Sequence, residues 1–127
     1  MKNLLDTNIV IDHIRGKLPI LPEMVKEGAT ISIISYGELL YGAYKSVVKD
    51  KTLRLVSSTL DDLSLEIVNL NQTMMDRYAQ LKSSLETKGI RLDDLDLLIA
   101  ATALDASLML VTRNKKHFSR IPYLQLY

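Results

Sequence analysis

Short apolar runs that alternate with helix-like segments constrain the fold of this chain most strongly. Five runs rich in leucine or β-branched residues are too short for helices and are predicted as strands, at residues 3–5, 30–33, 66–68, 109–111 and 124–126. The segments between them carry apolar residues at helical spacing, and residues 95–106 are apolar on nearly all sides, which predicts a buried helix. This alternation predicts an α/β fold: a mostly parallel central sheet of about five short strands with helices on both faces.

The length of 127 residues fits one domain spanning residues 1–127, with no room for a second enzyme domain. Cysteine is absent, so folding needs no disulfide. The apolar start is interrupted at Asp6, and the longest apolar stretch, residues 97–104, carries Thr102. We therefore expect neither a signal peptide nor a membrane span, and we expect the protein to be cytoplasmic.

Polar side chains lie shortly after the ends of three predicted strands and at the start of the predicted buried helix. Asp6 follows the first strand directly, Glu38 follows the second by one helical turn, Asp96 opens the buried helix, and Asn114 follows the fourth strand. Parallel sheets place their ligand sites at the carboxyl ends of the strands. Four separate segments are therefore predicted to meet at one edge of the sheet.

Each acid also has a purely structural explanation. Asp6 or Thr7 is suited to cap a helix. Residues 35–38 read as a capping box, in which Ser35 caps the helix and Glu38 reaches back to the cap amide. The acids at 93, 94 and 96 suit the positive end of a helix dipole.

The cost of burying charge favours a metal site over these explanations. Asp6 is flanked by leucine and isoleucine, and Asp96 lies between Leu95 and Leu97. Partly buried carboxylates need a counter-charge or they become protonated, and no lysine or arginine stands close to Asp6 or Glu38 in the sequence. Oxygen ligands without cysteine favour Mg²⁺ or Mn²⁺ over Zn²⁺.

The charges are unevenly placed although the net charge is only +1. Residues 106–127 contain no acid, while a basic segment follows the fourth predicted strand, with Arg113, Lys115, Lys116, His117 and Arg120. Such a segment is suited to neutralise phosphates of a nucleic acid. A solvated loop is the alternative.

Four blocks of the sequence, in order, resemble the PIN-domain ribonucleases, specifically the VapC-type toxins of bacterial and archaeal toxin–antitoxin pairs. They are LLDTNIVIDHIRG at 4–16, SYGELLYG at 35–42, DLDLLIAATA at 94–103 and VTRNKKHF at 111–118. The resemblance covers nearly the whole chain and implies a single PIN domain.

The resemblance also implies site residues. Asp6, Glu38 and Asp96 match the metal-binding acids, and Asp94 matches a further acid found in many members, with Asp93 a weaker match. Thr7 and Asn114 match polar positions near the metal and are expected to bind the substrate, together with Arg113 and Lys116, which would hold phosphates beside the cut. The chain departs from the family at the fourth acidic position, where Asn114 and His117 supply an amide and an imidazole.

The function implied is a metal-dependent endoribonuclease, using Mg²⁺ or Mn²⁺, in which Asp6 and Asp96 are direct ligands and Glu38 is a ligand or a general base. Its implied partners are RNA, a cognate antitoxin and a second copy in a homodimer. Single-stranded RNA loops suit such a groove because their backbone can be splayed into it.

Two other classes of function remain open at this point. A catalytically weak binding module would use the apolar surface of the helix that carries Tyr36, Leu39, Leu40, Tyr41 and Tyr44. An aspartyl-nucleophile phosphatase of the haloacid dehalogenase type would need a second aspartate at the position of Asn8, and also extra length.

Overall fold

The computed structural model describes residues 2–127 and contains four strands and seven helices in that part of the chain. The strands are β1 (Asn3–Leu5), β2 (Ala29–Ser32), β3 (Glu66–Val68) and β4 (Met109–Val111). The helices are α1 (Thr7–Ile14), α2 (Pro22–Lys26), α3 (Ile33–Lys45), α4 (Lys49–Asp62), α5 (Gln72–Thr87), α6 (Asp94–Asp105) and α7 (Lys115–Phe118).

The four strands form one parallel sheet in the order β3-β2-β1-β4. Because all neighbours are parallel, the carboxyl ends of the strands lie at one edge, as predicted. The predicted fifth strand at 124–126 is wrong: this segment makes only an isolated parallel bridge, Leu126 to Leu110. Pro122 and Tyr123 turn the chain just before it, Tyr123 with a left-handed φ of 65°, and the segment pairs with β4 only at Leu110.

Helices cover both faces of the sheet, as the sequence predicted. Leu4 and Leu110 pack on one face with residues of α5 and α6, whereas Leu5 and Val111 pack on the other with residues of α1, α2, α3 and α4. This division follows from the alternation of side chains along a strand. The predicted burial of the sixth helix is confirmed, since six of the twelve residues of α6 are buried.

One helix boundary and the conformation of the basic segment differ from the sequence prediction. Helix α3 begins at Ile33, directly after β2, and not near Tyr36. The basic segment is not only a loop, since residues Lys115–Phe118 form the short helix α7. Phe118, which is fully buried in the core, holds this turn against the domain. Within residues 2–127, no helix has both the length and the apolar character needed to cross a bilayer.

Candidate active site

Asp6 joins the end of β1 to the start of α1. Its backbone N–H donates to the carbonyl of Val111 (2.9 Å), which extends the pairing of β1 with β4 by one residue. Its carboxylate accepts from the Thr7 N–H (2.8 Å) and from the Thr112 hydroxyl (2.7 Å). Asp6 is therefore the helix cap that the structural explanation predicted. Capping does not exclude metal binding, because each carboxylate oxygen keeps a further lone pair.

Glu38 is held by α1 and not by the start of its own helix. The cap of α3 is Ser32, whose hydroxyl accepts from the Ser35 N–H (2.9 Å). The capping box of Ser35 and Glu38 is therefore wrong, because the helix begins a turn earlier than expected. The Glu38 carboxylate instead accepts from the Thr7 hydroxyl (2.7 Å).

Thr7 links the two acidic segments. Its hydroxyl lies 2.9 Å from the Ser35 hydroxyl while it donates to Glu38. Thr7 and Ser35 are both buried. The sequence predicts that Thr7 binds the substrate. In the structure, the hydrogen bond from its hydroxyl fixes the position of the Glu38 carboxylate.

Asp96 lies in the first turn of α6, whose cap is Asp93. Burial, together with the negative charges of Asp6, Asp93 and Glu38, raises the pKa of Asp96 to about 6, whereas His117 acts in the opposite direction. The acids that repel Asp96 come from three segments. Asp6 precedes α1, Glu38 lies on α3, and Asp93 caps α6 itself. The three predicted metal ligands therefore share one electrostatic environment.

These acids line a single open cleft of about 720 Å³ at the carboxyl edge of the sheet. Asp6, Glu38 and Asp96 contribute the charge, and Thr7, Asn8 and Asn114 contribute neutral polar groups. The remaining wall is mostly apolar, with Ile11, Ile33, Ile34, Leu95 and Tyr41. The cleft thus combines concentrated negative charge with a wall that water solvates poorly.

The donor chemistry of the cleft fits a hard divalent cation. In the described residues 2–127, none of the three ion pairs includes Asp6, Glu38 or Asp96, so no basic side chain there forms a salt bridge with them. The same residues contain no preformed group of three acids or histidines tight enough to enclose an ion. Mg²⁺ does not need one, since it keeps several waters and commonly binds through one or two carboxylates.

Asp94 is placed differently from the other predicted acids. It is exposed on the α5 side and accepts from the Tyr78 hydroxyl (2.9 Å) and from Lys82 (2.8 Å). These hydrogen bonds from Lys82 and Tyr78 lower the pKa of Asp94. It is not among the residues that line the cleft.

The basic segment borders the cleft at Asn114. The Asn114 side-chain amide lies 2.8 Å from His117 Nδ1, and its backbone N–H donates to the Thr112 hydroxyl (2.9 Å). Arg113 does not lie free in solvent, because its Nε is 2.9 Å from Asp12 Oδ2. Lys116 is exposed.

Thr112, Ser35 and Asp12 were not among the predicted site residues. Thr112 was detectable in principle: Leu5 pairs with Val111, so the residues that follow them, Asp6 and Thr112, are neighbours across two parallel strands. Ser35 and Asp12 offered no comparable signal, because their contacts with Thr7 and Arg113 do not join positions that follow paired residues of adjacent strands.

Comparison with known proteins agrees with the resemblance seen in the sequence. The PIN domain family model matches residues 4–123. Ribonuclease VapC2 of Rickettsia felis is 35% identical over 130 residues, covering 97% of this chain and 94% of that protein. The tRNA(fMet)-specific endonuclease VapC of Salmonella typhimurium is 31% identical over 133 residues, covering 99% and 96%.

Solved structures show the same relationship in three dimensions. VapBC2 from Rickettsia felis, bound to a DNA fragment from its promoter, matches with a TM-score of 0.92 and 34% identity, covering 100% of this chain and 98% of that one. DNA-bound VapBC from Salmonella typhimurium matches with a TM-score of 0.87 and 30% identity, covering 100% and 97%. The chain, whose acids and sheet edge are described above, belongs to the PIN-domain family and, within it, to the VapC proteins.

Proposed function

We propose that this protein is a metal-dependent endoribonuclease, the toxin of a toxin–antitoxin pair, that hydrolyses RNA phosphodiester bonds at the cleft of Asp6, Glu38 and Asp96. This proposal rests mainly on the observation that three carboxylates of a VapC chain line one cleft and form no ion pair within residues 2–127. The haloacid dehalogenase alternative is not retained, since the chain belongs to a different family.

Asp6 and Asp96 are the residues best placed to hold Mg²⁺ or Mn²⁺. A bound ion of this kind lowers the pKa of a coordinated water and stabilises the charge that develops on the attacked phosphate. Asp6 is prepared for this role because Thr7 and Thr112 fix its carboxylate from two sides. Asp96 must lose its proton before it can serve as a ligand.

Glu38 is the candidate general base or a further ligand. Hydrolysis forms a bond from a water oxygen to phosphorus, breaks the bond to the leaving ribose oxygen, and requires that the water proton be accepted. Thr7 fixes the Glu38 carboxylate at the cleft wall, so its free oxygen can accept that proton. Arg113, Asn114 and Lys116 are proposed to hold the RNA around the cut, and Asp94 stays a weaker prediction because it lies outside the cleft.

The partner side of the proposal rests on the relatives and on one exposed surface. The matching structures are toxin–antitoxin complexes, which supports a cognate antitoxin for this chain. Four large apolar or aromatic side chains are exposed along and after α3, namely Tyr41, Tyr44, Val47 and Val48, and the first of them lines the cleft. An apolar surface of this kind suits an antitoxin or a second copy in a homodimer. Cytoplasmic RNA is the proposed substrate pool.

The decisive experiment incubates the purified protein with total RNA and with transfer RNA, in Mg²⁺, in Mn²⁺ and in a chelator. Initiator transfer RNA is the first defined substrate to try, because one relative is named for it. We expect cleavage with either metal and none in the chelator, and no cleavage by Asp6→Asn. A folded parent that leaves all RNA intact, or an Asp6→Asn variant as toxic on expression as the parent, contradicts the proposal and favours a binding module.

A further inference from the structure

A second groove, here called the α1 groove, lies beside the acidic cleft. It measures about 460 Å³ and shares Asn8 and Ile11 with the cleft, so the two are continuous along α1. Its own charged residues are Asp12, Arg15, Lys17 and Arg113.

The sign of the charge reverses between the cleft and the α1 groove. The cleft carries Asp6, Glu38 and Asp96, whereas the groove exposes Arg15, Lys17 and Arg113. The one acid of the groove, Asp12, is buried and already paired with Arg113. The exposed surface of the groove is therefore cationic.

The pairing of Asp12 with Arg113 leaves most of the guanidinium available. Asp12 Oδ2 lies 2.9 Å from Nε of Arg113, and 54% of the Arg113 side chain is exposed. No other ion pair within residues 2–127 includes Arg113, and its guanidinium carries four further N–H donors on the two Nη atoms. A guanidinium held at Nε presents its Nη edge in the geometry that grips two oxygens of one phosphate.

The other two cationic residues of the α1 groove, Arg15 and Lys17, lie on a tight turn. Arg15 ends α1, and Gly16 follows with a φ of 70°, a conformation that glycine adopts without strain. The chain reverses there, and the Lys17 N–H donates to the Asp12 carbonyl (2.9 Å). Arg15 and Lys17 are thereby carried on a hydrogen-bonded turn next to the residue that holds Arg113.

We propose that the α1 groove binds RNA backbone phosphates on one side of the cut, and that Asp12 is a positioning residue that orients Arg113 for them. This inference rests on the proposed ribonuclease function and extends the site to Asp12, Arg15 and Lys17. RNA entering an acidic cleft is repelled there, so cations in a continuous neighbouring groove are needed to hold the strand. Because the α1 groove opens into the cleft, one RNA strand can extend through both. RNA is therefore a better occupant of the groove than an acidic protein segment.

The first test measures how salt weakens binding of a labelled single-stranded oligouridylate in a chelator. Arg15→Ala and Lys17→Ala should each make the slope of log affinity against log salt shallower by about 0.7, the value for one lost phosphate contact on a single strand. Lys26→Ala is the matched control. Lys26 is exposed at the end of α2, just before β2 begins, and hence at the opposite edge of the sheet. Its slope should equal that of the parent.

The second test asks whether Asp12 positions Arg113 for RNA or only stabilises the fold. Asp12→Asn should raise KM for a cleavable RNA about tenfold while kcat stays near the parent value, and the double variant with Arg113→Lys should bind RNA no more weakly than the worse single variant. A structural role alone predicts a lower melting temperature with unchanged RNA affinity and KM. Arg113→Lys is an independent test of the contact between Arg113 and phosphate. Lysine keeps the positive charge but lacks the planar guanidinium that donates two parallel hydrogen bonds.

Unchanged salt slopes in both Arg15→Ala and Lys17→Ala overturn the inference. If these variants bind RNA normally but escape inhibition by the antitoxin, the groove serves a protein and the inference is again wrong. Both results leave the parent cleaving RNA, whereas failure of the proposed function itself leaves a parent that neither binds nor cleaves it.

Discussion

Asp94 and Asp96 lie two residues apart on α6, yet their surroundings shift their pKa values in opposite directions. Asp94 faces α5, where Lys82 and Tyr78 lower its pKa. Asp96 faces the cleft, where burial and the charges of Asp6, Asp93 and Glu38 raise its pKa to about 6. The chain thus pairs Asp94 with Lys82, whereas Asp96 belongs to no ion pair within residues 2–127. Proximity in sequence therefore says little about which acid of such a cluster is available to a ligand.

The largest effect is expected from Asp96→Asn. We expect cleavage to fall by more than about 100-fold, because loss of a direct ligand should cost at least as much as loss of its supporting contacts. In a chelator, the same variant should melt at a higher temperature than the parent, because the repulsion with Asp6 and Glu38 is removed. RNA cleavage assays and thermal melts measure the two effects. A variant that is active, or destabilised in the chelator, would contradict the proposed role.

Glu38→Gln is expected to have the next largest effect. The glutamine oxygen can still accept from Thr7, so the fold should be kept, while the loss of charge should lower kcat by about 10²- to 10⁴-fold if Glu38 is the general base. Thermal melts and single-turnover cleavage distinguish this result from simple unfolding. Thr7→Val is the companion variant: it keeps Glu38 but removes its donor, and should lower kcat less.

The pH dependence of cation binding sharpens the comparison further. Without metal, the folded pKa of Asp96 is about 6, above its ordinary value of 3.8, so the folded state holds the proton more tightly than the unfolded one. Its contribution to stability is therefore greatest below pH 3.8 and is lost as pH rises towards 6. Mg²⁺ competes with that proton, so affinity measured by calorimetry should fall as pH drops through about 6. Asp94→Asn should leave this profile unchanged, and an unshifted profile in Asp96→Asn would refute the assignment.

The smallest effect is expected from Asp94→Asn. Its partners Lys82 and Tyr78 belong to an exposed contact, and exposed ion pairs contribute little to stability. We expect less than about a tenfold change in kcat, which corresponds to less than about 1.4 kcal/mol of lost transition-state stabilisation. Lys82→Ala is the matched control, since it breaks the same pair from the other side. A loss of cleavage as large as that of Asp96→Asn would show that Asp94 enters the cleft when substrate is bound.

The sequence predicted the architecture well because its signals are local and periodic. The first, third and fourth strands are found at the predicted residues, and the buried helix was visible as an apolar run. The fold class and the family are confirmed by the comparisons. The prediction of a fifth strand was wrong because composition alone does not show that the segment after the turn at Pro122 and Tyr123 pairs with β4 through a single bridge.

The side-chain network was beyond local reasoning. The capping box at Ser35 depended on a helix start that the structure places at Ile33. The contact of Asp12 with Arg113 joins residues far apart in the chain, so neither spacing nor composition revealed it. Strand ends can be predicted to converge; the partner that each carboxylate finds there depends on tertiary packing.

The bond from Thr112 to Asp6 has a consequence for how the protein is made. These residues are 106 positions apart, and β4, which carries the second of them to the cleft, is the last strand of the sheet. A chain emerging from the ribosome in order cannot pair β1 with β4 until Met109–Val111 has been synthesised. A nascent chain that ends before β4 should therefore be unable to complete the cleft.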